Sequence, residues 1–152
     1  MKHPFYLELE RRGAWVYTDV IFIGACLISH HINDKGHFVL DVITTPVDIR
    51  NQGHGTKVMT ILKDISKTTN TPIELLVGVV KKNGIIKRHS LVGSHATQTK
   101  NKLPFKSLKK WYLNLGFIPC GKEDGRVKMI YQYNKWEGMN LLEKLMDLKT
   151  NM

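Results

Sequence analysis

RNQGHGTKVMTIL, residues Arg50 to Leu62, decides how the rest of the chain is read. Its second half carries Val58, Ile61, Leu62 and, just beyond, Ile65, at the i, i+3, i+4, i+7 spacing of a single helical stripe. Its first half is a polar loop with glycines at 53 and 55. The first turn of a helix has N–H groups without intrahelical acceptors and the positive end of the dipole. Glycines let the backbone close around an anion there. The stretch therefore reads as a phosphate cradle, with a pyrophosphate on the N–H groups of Gln52 to Thr56. It is not a Walker A loop, because no Gly-x4-Gly-Lys-Ser/Thr string exists. It is a poor dinucleotide fingerprint, because Val58 stands where a third glycine is needed.

On its N-terminal side HFVLDVITT, His37 to Thr45, alternates as a strand, and Pro46 stops it. The alternation puts Phe38, Leu40 and Val42 on the core face, and His37, Val39, Asp41 and Ile43 on a mixed face suited to a cleft. On its C-terminal side KTTNTP closes the helix, and IELLVGVV, Ile73 to Val80, is a near-continuous apolar strand. Strand, helix, strand makes a βαβ unit, so the two strands are expected to be parallel. Ahead of it, Phe5 to Ile32 reads as two or three strands with a break at Arg12-Gly13. Behind it, residues 81–105 are basic without a clear period and read as a loop. Leu108, Trp111, Tyr112 and Leu115 form a second helical stripe, ended by Gly116. Two strands follow, Phe117 to Cys120 and Arg126 to Tyr133. Asn140 and Glu143 then cap a last helix with Leu141, Leu142, Leu145 and Met146 on one side, expected to cover the sheet or meet a partner.

The 152 residues fit a single domain, 1–152, with 42% hydrophobic residues to fill its core. Lys and Arg total 23 against 13 Asp and Glu, a net charge of +10 that favours anionic partners. Most of these cations are lysines, which read bases less well than arginines do. Cys26 and Cys120 stand apart, without metal spacing or a C-x-x-C motif, as expected of free thiols in a reducing compartment. The basic and acidic N-terminus lacks the apolar run of a signal peptide, and Val20 to Ile28 is too short to span a bilayer. A cytoplasmic protein without membrane or metal is expected.

RNQGHGTKVMTIL resembles the acetyl-CoA-binding motif of the GNAT superfamily of N-acetyltransferases, and WYLNLGF, Trp111 to Phe117, resembles that superfamily's later aromatic-Tyr-x-x-Leu-Gly-Phe segment. The order of elements over residues 37–133 is also the family's. The resemblance implies a mixed α/β fold with a central, mostly antiparallel sheet of six or seven strands, one splayed parallel pair, and here a reduced N-terminal helical part. It implies acetyl-CoA as co-substrate, its pantetheine arm along the backbone of Ile43, Thr44 and Thr45. Its pyrophosphate would lie on Arg50, Asn51, Gln52, Gly53, His54, Gly55 and Thr56, with Gly53 and Gly55 as obligatory small residues. Asn83 stands at the end of the second parallel strand, where the family often places a coenzyme contact, but a long basic insertion separates it from Tyr112.

Tyr112 matches the position from which a tyrosine often protonates the leaving thiolate, and that role is preferred to packing with Trp111 as a core residue of the helical stripe. Asp41, on the strand before the loop, is the first choice of general base, against a solvated strand acid or a salt-bridge partner. His30, His31, His37 and His95 are further candidates, and His54 is expected to offer only its backbone N–H. The implied reaction is acetyl transfer to a primary amine by direct attack in a ternary complex, with no Cys or Ser set for a covalent intermediate. The acceptor is open between a protein amine and an aminoacyl-tRNA or other nucleic-acid-borne amine, and the assembly between monomer and homodimer. The alternative is a degenerate domain of the same fold that only binds nucleic acid or coenzyme A.

Overall fold

A computed structural model describes residues 2–49, 52–82, 85–89, 105–123, 125–132 and 140–151. Eight strands among them form one sheet: β1 (Trp15–Val16), β2 (Val20–Ile23), β3 (Cys26–Ile32), β4 (Phe38–Thr44), β5 (Ile73–Lys82), β6 (Ile85–His89), β7 (Ile118–Glu123) and β8 (Arg126–Tyr131). Seven run in the order β1-β2-β3-β4-β5-β8-β7, and β6 pairs with β5 beside this path. Every pairing is antiparallel except β4 with β5. The helices are α1 (Pro4–Arg11), α2 (His54–Thr69), α3 (Phe105–Asn114) and α4 (Leu141–Asn151). This is the mixed α/β architecture expected from the sequence, a mostly antiparallel sheet with one parallel pair.

One apolar cluster ties α1, α2 and α3 to a single face of the sheet. Phe5 and Leu9 of α1, Val58, Met59, Leu62 and Ile65 of α2, and Leu108, Tyr112 and Leu115 of α3 meet Phe38, Leu40, Ile73, Leu75 and Val77 of the parallel pair. The α2 stripe is thus the one its spacing announces, and Asn70 ends the helix in the left-handed region at φ 51°. On the opposite face Ile118 and Ile130 form a smaller cluster, on which Leu148 of α4 rests. The cap of α4 is a reciprocal one: Glu143 N donates to Asn140 Oδ1 at 2.9 Å, and Asn140 N to Glu143 Oε1 at 3.4 Å. Its Leu141, Leu142, Leu145 and Met146 side is exposed and does not cover the sheet.

Two segments correct the sequence reading. Phe5 to Arg11 is a helix, not a strand: Pro4 pre-sets the first turn, His3 caps it by accepting from Phe5 N at 3.1 Å, and Phe5 and Leu9 bury one face. Residues 85–89, read as loop, are strand β6. It pairs antiparallel with β5, from Gly78 opposite His89 to Lys82 opposite Ile85.

Candidate functional site

The β4 strand changes register in its middle. His30 pairs with Leu40 and Ser29 with Val42, which leaves Asp41 as an extra residue without a partner on β3. A one-residue bulge bends the strand and shifts its facing. Phe38, Leu40 and then Ile43 lie in the core, while Val42 is only half-buried. This corrects the strict alternation, which placed Val42 inside and Ile43 with Asp41 on the cleft side. The parallel ladder stops at the same point: Phe38 pairs with Ile73, Val39 with Glu74 and Leu40 with Leu75, and no later pair joins β4 to β5. Beyond the bulge, Val42, Ile43 and Thr44 remain paired to β3, and no strand of the described residues takes their other edge. Thr44 is half-buried; Thr45 is buried, with its Oγ1 3.3 Å from Cys26 Sγ.

The chain then passes a short 3-10 turn, Val47–Ile49, and enters α2 through Gly53 at φ 81°, ψ 8°. That left-handed conformation is a reason for glycine at 53 that needs no ligand. Gly55 is different. Its φ is not positive, and a Cβ there would sit 3.7 Å from the Trp111 ring, an ordinary contact. The first backbone bond of the helix is Lys57 N to Gly53 O at 3.0 Å, so the N–H groups of the turn before it have no acceptor within the helix. Gln52 and Thr56 are exposed and His54 half-buried around this turn. Trp111 Nε1 donates to Thr56 Oγ1 at 3.2 Å, which seats α3 on the start of α2. Arg50, Asn51 and Asn83 lie outside the described residues, as does His95.

Next to Trp111, Tyr112 is fully buried, its ring 4.9 Å from that of Trp111 and 5.5 Å from that of Phe117. It is a core residue, yet among the described residues its Oη has no hydrogen-bond partner. A buried hydroxyl left unpaired costs about 1–3 kcal/mol. Burial also pushes the phenol's pKa up, so the group stays a proton donor.

Asp41 faces the other side of the sheet. With His31, Asn33, Val39, Glu74, Leu75, Leu76, Glu123, Arg126 and Lys128 it lines a cleft of about 390 Å³, within the usual range for small-molecule sites. His31 Nδ1 stands 2.8 Å from Asp41 Oδ2, and both side chains are about half exposed. Deeper in, Glu74 accepts from Asn33 Nδ2 at 2.8 Å, from Lys128 Nζ at 2.9 Å and from His37 Nδ1. Those hydrogen bonds, that from His37 foremost, outweigh burial and hold the Glu74 carboxyl at about 2. His37 is thereby committed to structure. So is His30, whose Nδ1 accepts from Tyr6 Oη at 2.8 Å and whose Nε2 donates to Tyr17 O at 3.1 Å. The Glu74 cluster and the His31–Asp41 contact escaped the sequence reading, because they join residues far apart in the chain.

No protein-family model and no curated protein matches the sequence. Two solved structures resemble the chain in fold. The anti-CRISPR protein AcrVA5 is 18% identical with a TM-score of 0.49, over 74% of this chain and 96% of that one. PH1933 from Pyrococcus horikoshii OT3 is 19% identical with a TM-score of 0.48, over 76% of this chain and 64% of that one. At these identities neither likeness speaks to function. Among the described residues no helix is long and apolar enough to cross a membrane, and no group of three or more His, Cys, Asp or Glu is placed to hold a metal ion.

Proposed function

We propose that this chain is an N-acetyltransferase that moves an acetyl group from acetyl-CoA to a primary amine by direct attack in a ternary complex. The observation that carries the reading is the bulge at Asp41 coinciding with the last parallel pair, Leu40 with Leu75. It leaves one edge of Val42–Thr44 without a strand partner, directly upstream of the loop that opens α2. An amide-bearing arm can add hydrogen bonds to such an edge much as a strand would. The free N–H groups at the start of α2 suit its diphosphate, and the +10 charge supports phosphate binding. Arg50, Asn51, Gln52, His54 and Thr56 are assigned to the diphosphate, and Ile43, Thr44, Thr45 and Asn83 to the arm. Gly55, which no protein contact restricts, is assigned to close approach of the coenzyme.

In this scheme Tyr112 donates to the departing sulfur, which gives its orphan hydroxyl a partner. Its raised pKa makes it a hydrogen-bond donor throughout the neutral range. The cleft around Asp41 receives the amine, with Asp41 on the side where the amine loses its proton. A protein amine and an aminoacyl-tRNA are both suitable acceptors. The charge also favours a second reading, a degenerate domain that binds nucleic acid or coenzyme without turnover.

The test is calorimetric titration with acetyl-CoA and with desulfo-CoA, followed by thiol release in the presence of lysine peptides and aminoacyl-tRNA. The proposal expects coenzyme binding by the wild type, loss of at least about tenfold in affinity in Gly55→Ala, and thiol release with one acceptor class. Absence of coenzyme binding overturns it. Binding without release from any amine selects the degenerate reading.

A further inference from the structure

The cleft holds one imidazole that the fold does not use. His31 and Asp41 sit at the point where β3 and β4 fall out of register, His31 opposite Val39 and Asp41 in the bulge itself. Leu75 and Leu76, the last residue of the parallel ladder and the one after it, line the same cleft. A carboxylate only accepts, so the 2.8 Å contact has His31 Nδ1–H donating to Asp41 Oδ2. In the neutral ring that leaves Nε2 as the acceptor. The other groups of the cleft are engaged or of the wrong kind. Glu74 is bound by Asn33, Lys128 and His37; Arg126 and Lys128 are cations; Glu123 lies on the exposed end of β7. His30, the neighbour of His31 on β3, is turned into the core with both nitrogens bonded.

We infer that His31 is the proton acceptor of the acetyl transfer and that Asp41 is its positioning residue, holding the ring in the tautomer that leaves Nε2 open to the cleft. The inference rests on the acetyltransferase reading and deepens it. An acceptor ammonium enters with three protons on nitrogen. One passes to His31 Nε2 and from there to solvent. The freed lone pair attacks the thioester carbonyl, a C–N bond forms and the C–S bond breaks. A second proton leaves the nitrogen and ends on the coenzyme sulfur by way of Tyr112. The products are the amide, with one N–H, and the free thiol.

The experiment compares two amines in the thiol-release assay. Nα-acetyl-lysine amide is an ammonium at neutral pH and needs a base; methoxyamine is already neutral there and does not. His31→Gln is expected to lower kcat for the lysine amide about 10²- to 10³-fold with little change in KM, and to stay within about threefold of wild type with methoxyamine. Asp41→Asn should show the same split by a smaller factor, and added imidazole should restore part of the rate of His31→Ala. His31 is half exposed, so these variants should fold, and their melting curves check it. An equal loss with both amines overturns the inference by making the residue structural. An unchanged lysine-amide rate overturns it by placing the base elsewhere, while the acetyltransferase reading stands. If wild type releases no thiol with either amine, that reading falls first and takes this one with it.

Discussion

The two ends of the β4–β5 pair are built on opposite plans. At the closed end three ladder pairs hold the strands together, and Glu74 gathers donors from the turn before β4, from His37 and from Lys128 on β8. At the open end there is a bulge instead of a ladder and a half-exposed His31–Asp41 pair. Behind that end, Trp111 rests on the start of α2, and its neighbour Tyr112 buries a hydroxyl without a partner. Saturated polar groups marry the strands where rigidity is needed. Unspent hydrogen-bonding capacity collects where β4 and β5 part.

The contrast can be broken most severely at Glu74. Glu74→Gln should lower stability by about 3 kcal/mol, read as a fall in the urea midpoint, because it leaves Lys128 and His37 facing a neutral amide in a buried place. The pH dependence has a definite sign. The carboxyl is held at about 2 when folded, below its ordinary 4.5. Its contribution is therefore complete above pH 4.5 and drains away as pH falls towards 2, and in Glu74→Gln that window of acid sensitivity should close. Gly53→Ala should cost about 1–2 kcal/mol in thermal unfolding, from forcing a side chain into φ 81°. Tyr112→Phe sharpens the comparison from the other side. Removing an unpaired hydroxyl should leave the protein up to about 1 kcal/mol more stable while slowing thiol release. The smallest effect on stability belongs to Gly55→Ala, within about 0.5 kcal/mol of wild type, since its methyl meets only the Trp111 ring at an ordinary distance. Its loss should appear in coenzyme affinity alone.

Much of this frame was legible in the chain. The α2 and α3 stripes, the parallel pair and the cap of α4 follow from periodicity and capping residues, which are local signals. The bulge was not legible, because Val42 and Ile43 are both apolar and either one satisfies a hydrophobic inward position. The α1 helix was hidden by its aromatic residues, although Pro4 and the Phe5–Leu9 spacing point to it. Strand β6 was hidden by Lys87 and Arg88, although Asn83-Gly84 is a two-residue hairpin signal. The Glu74 cluster had no sequence signature at all: Asn33, His37, Glu74 and Lys128 become neighbours only through strand order.

Asp41 matters through chain length as well as through its carboxylate. The pairs on either side of it, His30–Leu40 and Ser29–Val42, would become consecutive rungs if that one residue were missing. Ile43 would keep its seat above the core, and a straightened β4 could zip further along β5. An in-frame loss of a single codon would thus turn a fold with a doorway into one with a wall, at little cost to its hydrophobic interior.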